Sequence, residues 1–212
     1  MLSMMNTNKA NIAVLVSGGG TNLQALLDAQ TGGTLQSGQI TLVISSNDSA
    51  YALRRAQAAG VPTETILPKN RPQAQFEAEL RQALDRYHID LIVLAGFMII
   101  LSEAFTAAYP RRILNVHPSL IPAFCGKGFY GLRVHEAALA RGVKLTGATV
   151  HFVNEIPDGG EIVLQKCVPA EPSDTPEILQ RRVMEQAEWV ILPQAVEQVS
   201  AQIVKEKQHE CL

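Results

Sequence analysis

The run "IDLIVLAG" at residues 89–96 constrains the fold more than any other stretch. It is apolar on both faces, and a strand without a polar face has to lie in a sheet covered on both sides. Such sheets are parallel, and parallel neighbours need long crossover connections, usually helical. The preceding chain supplies them. "NIAVLVS" (11–17) is a short apolar run followed by glycines and by "TNLQALLDAQ", which has helical spacing. "QITLVISS" (39–46) reads as a second strand, and "AYALRRAQAAG" as a helix closed by Gly60. "VPTETIL" offers a third strand, and a helix over 73–87 repeats Phe76, Leu80 and Leu84 every four residues. A helix around 102–109 leads to an apolar strand that ends on Asn115 and His117. The alternation predicts an α/β fold, an open, mostly parallel twisted sheet flanked by helices.

Beyond residue 120 the pattern changes. The Gly- and Pro-rich loop "PAFCGKGFYG" precedes a helix at 132–141. "LTGATVHFVNE" and "EIVLQKCVPA" then pair across "IPDGG" as an antiparallel C-terminal portion. A last helix is expected from about 174 to 203, capped by Asp174 or Ser173. The 212 residues contain no repeat or linker, so 11–204 read as one domain, 1–10 as an N-terminal extension and 205–212 as a C-terminal tail. A net charge of −2 exerts no general pull toward nucleic acid or anionic membrane, and no apolar run is long enough to span a bilayer. Three well-separated cysteines, Cys125, Cys167 and Cys211, suggest neither a disulfide framework nor a zinc site and fit a reducing cytoplasm.

"VSGGGTNLQ" is a glycine-rich turn between a strand and a helix. Successive backbone N–H groups there, together with the helix N-terminus, form an anion site. Gly18, Gly19 and Gly20 allow close approach, while Thr21 and Asn22 add side-chain donors. The stretch is neither GxGxxG nor a GK[ST] loop, which favours one phosphate monoester over a dinucleotide or nucleoside triphosphate. On these residues alone a plain tight turn is an equal reading.

The histidines divide by position. His88, between a helix end and a strand, reads as a surface or capping residue, and His135, opening a helix, as support for the preceding loop. His151 shares a strand face with Thr149 and Val153 and looks either into a cleft or into the core. His117 differs because it sits at the carboxyl end of a parallel strand, where open α/β sheets bind ligands. "NVHPSL" offers a single metal ligand and no nucleophile elbow around Ser119, which leaves electrostatics and proton transfer. Asn115 and His117 project to one side of the strand, and a carboxamide N–H beside a protonated imidazole can hold an oxyanion. Asp158 in "EIPDGG" is a candidate counter-charge, and an ordinary turn aspartate is the competing reading.

"SGGGTNLQ", "VISSNDSAYALRRAQAAGVPT", "DLIVLAGFM", "LNVHPSLIPAF" and "TGATVHFVNEIPDGGEIVLQ" follow in an order that resembles the phosphoribosylglycinamide formyltransferases, folate-dependent enzymes of purine synthesis. The resemblance runs from about Asn11 to about Val199. It implies a Rossmann-like formyltransferase fold and, without a metal, attack by the amine of glycinamide ribonucleotide on the formyl group of 10-formyltetrahydrofolate. It places catalysis on Asn115, His117 and Asp158 and the substrate phosphate on Gly20, Thr21 and Asn22. Gly96 and Pro118 would lie beside the glycinamide, and Glu188 on the ribose. Arg71, Leu94, Phe97, Met98, Leu101, Val153, Asn154 and Glu155 would line the folate pocket, with His135, Thr149 and His151 in support.

Three positions depart from the family pattern. Ile99 stands where many relatives carry arginine, and the loop "FCGKGFYGLRVH" is longer than in some of them. The usual interval from Asp158 lands on Ala187 rather than Glu188, so an extra residue is expected in the loop before the last helix. The rival readings are a formyltetrahydrofolate hydrolase, which normally carries an N-terminal regulatory domain, and a non-catalytic phosphate- or folate-binding module. Methionyl-tRNA formyltransferase shares the N-x-H-x-S-L-x-P core but adds a nucleic-acid-binding domain. The expected partners are therefore the two small substrates, with no nucleic acid and no membrane, for a monomer or homodimer.

Overall fold

The computed structural model describes residues 9–210; residues 1–8 of the expected extension, with Cys211 and Leu212, lie outside the described residues. Strand β1 (Ala10–Val16) shows why the sheet is buried twice over. Ile12, Val14 and Val16 enter one hydrophobic cluster, while Ala13 and Leu15 enter another on the opposite face, as the two-residue period of a strand requires. The other strands are β2 (Gly38–Ser45), β3 (Thr63–Thr65), β4 (Leu91–Leu94), β5 (Ile113–His117), β6 (Leu145–Phe152) and β7 (Ile162–Pro169). They form a seven-stranded sheet in the order β3-β2-β1-β4-β5-β6-β7. Pairing is parallel from β3 to β5 and antiparallel for β6 and β7, as the sequence pattern predicts.

Helix α1 (Thr21–Thr31) lies on one face with α2 (Tyr51–Ala58), α5 (Leu132–Arg141), α6 (Pro176–Val183) and α7 (Trp189–Glu210). Leu23, Leu26, Leu192 and Val196 are among the side chains filling that side. The other face is covered by α3 (Gln73–Arg86) and the short α4 (Glu103–Thr106), through Phe76, Leu80, Leu84 and Phe105. Strand order reverses between β1 and β4, so the connections leaving their carboxyl ends diverge and open a crevice. The glycine loop leaves β1 there and the "AGFM" segment leaves β4.

The C-terminal helices differ from expectation in three respects. The cap is Thr175, whose Oγ1 accepts from Ile178 N at 3.3 Å, because Asp174 is engaged by Arg182 and by Glu171 N. The helix continues to Glu210, past the expected end at 203. Between α6 and α7, residues Met184–Glu188 form a π-helical turn. A π-turn holds one residue more than an α-turn, so the slack expected in the preceding loop lies inside the helix instead.

β6 and β7 approach so closely that a Cβ on Gly147 would stand 2.0 Å from the Lys166 carbonyl oxygen. Gly147→Ala is therefore expected to lower stability by about 1–3 kcal/mol, read as a reduced urea midpoint with an unchanged slope.

Candidate active site

The pairing of β5 with β6 sets the site. Asn115 lies opposite His151 and His117 opposite Thr149, so four polar side chains share one face at the sheet's carboxyl-end crevice. His117, Thr149 and His151 are nearly or fully buried. His151 Nδ1 lies 2.8 Å from the Phe152 carbonyl oxygen; a carbonyl only accepts, so Nδ1 carries a proton. In the neutral ring Nε2 then accepts from Asn115 Nδ2 at 3.2 Å, which orients the carboxamide and leaves its second N–H free.

His117 is held from two sides. Its Nε2 is 2.9 Å from the Phe124 carbonyl oxygen, and its Nδ1 is 3.5 Å from Asp158 Oδ2. Both ring nitrogens therefore face oxygen atoms, a backbone carbonyl on one side and a carboxylate on the other. Asp158 sits in a left-handed conformation (φ 57°), an aspartate-tolerant one that turns its carboxylate back toward the strands. Its Oδ1 lies 3.6 Å from His151 Nε2, and its Oδ2 accepts from Gly126 N at 2.7 Å. Burial by itself would raise the Asp158 carboxyl, but the two histidine rings and the Gly126 N–H outweigh it and hold the group below the usual carboxylate range.

The segment after His117 is braced from β6 and β7. Thr149 Oγ1 donates to Ser119 O at 2.7 Å and accepts from Ile121 N at 3.1 Å. Gln165 on β7, which sequence reasoning missed, donates to both Ile121 O and Thr149 Oγ1 at 3.0 Å. His135 lies on α5, fully buried, with neither ring nitrogen hydrogen-bonded. Burial, and then the charge of His117, lower its pKa to about 4.

A cleft beside this group is lined by Leu94, Phe97, Leu101, Val153, Asn154 and Glu155, all of them expected, together with Asn115, His151 and Asp158. Ile99, Ile100, Ile156 and Pro157 also line it. In the sequence Ile99 stands out as a departure from the family pattern, whereas Ile100, Ile156 and Pro157 show only apolar character in connecting segments. Met98 is exposed and does not line the cleft. Arg71 does not line it either, and its guanidinium is paired with Glu79, two turns along α3. Gly96 and Pro118 are likewise absent from the lining. Buried Glu77 on α3 secures this wall, accepting from Ser102 N at 2.7 Å and Gln73 Nε2 at 2.9 Å, while Gln73 also donates to Ile100 O.

On the far side of the crevice the glycine loop runs into α1. Gly20 is the N-cap residue, has φ 73° and offers no side-chain cap, so the first N–H groups of the helix stay available to an anion. A Cβ on Gly20 would lie 2.6 Å from Ala52 Cβ, which excludes larger residues. The loop is tied back by Ala52 N to Gly18 O (3.1 Å) and by Arg55 Nε to Gly19 O (2.9 Å). Asn22 Nδ2 donates to Glu188 Oε2 at 2.8 Å. The π-turn thus delivers Glu188 to the loop. Burial pushes its carboxyl up, and the Asn22 hydrogen bond offsets part of that rise. Among the described residues no group of three His, Cys, Asp or Glu is arranged to hold a metal.

Fold and site together define a member of a known class. The family profile described as "Formyl transferase" matches residues 10–196, and the chain belongs to that family. It is 43% identical over 183 residues to the phosphoribosylglycinamide formyltransferase of Haemophilus influenzae, covering 86% of this chain and 83% of that protein. It is 44% identical over 200 residues to the human trifunctional purine biosynthetic protein adenosine-3, covering 93% of this chain but only 19% of that much longer protein. The crystal structure of glycinamide ribonucleotide transformylase 1 from Symbiobacterium toebii superposes with a TM-score of 0.85 at 41% identity, covering 95% of this chain and 92% of that one.

Buried His135 makes the site acid-sensitive. The unfolded chain takes up a proton near pH 6.5, whereas folded His135 does so only near pH 4. Stability is therefore whole above that window and declines as pH falls through it, by about 3 kcal/mol. In His135→Gln the drop in denaturant midpoint between pH 7.5 and pH 4.5 is expected to shrink. The lowered Asp158 carboxyl acts in the same direction, but only where carboxylates protonate, at lower pH.

Proposed function

We propose that this chain transfers the formyl group of 10-formyltetrahydrofolate to the amine of glycinamide ribonucleotide in purine synthesis. The observation that carries the reading is the cluster of Asn115, His117, His151 and Asp158 between an apolar cleft and an uncapped helix N-terminus. In this reading the phosphate of the substrate rests on Gly20, Thr21 and Asn22 and its amine reaches the mouth of β5. The donor's ring system lies in the cleft between the "AGFM" segment and residues 153–158.

In this mechanism the amine nitrogen attacks the formyl carbon, and the carbonyl π electrons move onto oxygen. The free N–H of Asn115 and the His117 imidazolium take up that negative charge, an effect worth about 3–4 kcal/mol per donor. Asp158 stands as the counter-charge to that ring. The tetrahedral intermediate collapses as the bond to the folate nitrogen breaks, and the proton lost by the attacking amine ends on that leaving nitrogen, with Asp158 as the nearest base. His117 Nε2 is occupied by the Phe124 carbonyl, so that contact yields when the oxyanion forms. Two bound substrates supply nucleophile and electrophile, and the protein supplies position and field.

The direct assay mixes protein with both substrates and follows folate absorbance. Asn115→Ala is expected to lower kcat about 100- to 1,000-fold, and Asp158→Asn to lower it as well, each in protein whose circular dichroism at the assay temperature matches that of the wild type. Deformylation that proceeds at the same rate without the ribonucleotide would convert the reading to a hydrolase.

A further inference from the structure

We propose that Arg55 supplies the positive charge that binds the phosphate of the ribonucleotide, reaching the glycine loop from α2. The inference rests on the reading of that loop as the phosphate site. A phosphate monoester carries close to two negative charges at neutral pH. Gly20, Thr21 and Asn22 offer only neutral donors, and a helix N-terminus contributes about half a charge. Asn22 is moreover bound to a carboxyl group, that of Glu188, which brings no compensation. Among the described residues, Arg55 is the cationic side chain that hydrogen-bonds to the loop.

Its geometry leaves it capacity for a ligand. Nε donates to Gly19 O at 2.9 Å and Nη1 to Gln24 Oε1 at 3.0 Å. A guanidinium has five N–H donors, so these two contacts leave three uncommitted. No carboxylate among the described residues forms an ion pair with it. Asp28 lines the same cavity but is engaged by Gln24 Nε2 at 2.8 Å. The cavity, 300 Å³, runs along α1 past Thr21, Gln24, Ala25 and Asp28, with Arg55 on one flank and Trp189 on the other. The charge is thus fixed beside the first turn of α1 by contacts to the loop backbone itself. The competing role is a brace that only shapes the loop.

Comparing glycinamide ribonucleotide with its phosphate-free riboside separates the two. In Arg55→Gln, kcat/KM for the ribonucleotide should fall about 10- to 100-fold, the effect of one charge-assisted contact. The riboside value should stay within about two-fold, and Arg55→Lys should recover part of the loss. An equal fall for both compounds would mean that Arg55 is only a brace, and would overturn the proposal. If wild-type protein formylates neither compound, the proposed function fails, and calorimetry with ribose 5-phosphate decides the role of Arg55 on its own. Binding at least 10-fold tighter in wild type than in Arg55→Gln supports it, and equal binding refutes it.

Discussion

The rest of the site depends on the register in which β6 pairs with β5. Because Asn115 faces His151 and His117 faces Thr149, one ladder brings an amide, two imidazoles and a hydroxyl to a single face. A slip of β6 by one residue would turn Thr149 and His151 to the opposite side, away from Asn115 and His117. The register is held by the hydrogen bonds of Thr149 and Gln165 into the segment beyond His117. Antiparallel strands at the end of a parallel sheet thus fix the geometry of this polar cluster as well as extending the sheet.

Charge in this site is arranged by contrast. Half-buried Asp158 and buried His135 and Glu188 are each treated differently. Asp158 is kept ionised by two rings and a backbone N–H. His135, with no partner, is kept neutral by burial and by the nearby charge of His117. Glu188 is pushed toward its neutral form under the glycine loop. Burying any of these groups carries a cost, and the opposite directions of the shifts show where the surroundings offset it.

Much of this was legible in the sequence, and what was not has physical reasons. Strands such as 11–17 and 89–96 announce themselves because a doubly covered sheet tolerates no polar face. Asn115 and His117 were legible because the two-residue period puts them together at a strand mouth. The π-turn was not legible, since a five-residue turn leaves the hydrophobic stripe of α6 and α7 almost intact on either side. The family resemblance put Arg71 in the folate pocket, and no local pattern showed that its guanidinium would pair with Glu79 on α3. The lining by Ile99, Ile100 and Ile156 depends on how two loops meet across the cleft, and no local pattern records that. Gln165 reads as one polar residue on an edge strand until the loop it supports is seen beside it.

The backbone at Phe124 has a further consequence. Its φ of 50° is unusual for an aromatic residue, and such a conformation costs on the order of 1–3 kcal/mol. The Phe124 carbonyl faces His117 Nε2 at 2.9 Å, and a hydrogen bond there offsets a cost of that order. The ring and the left-handed residue therefore hold each other: without the histidine contact the backbone of that turn would stand uncompensated.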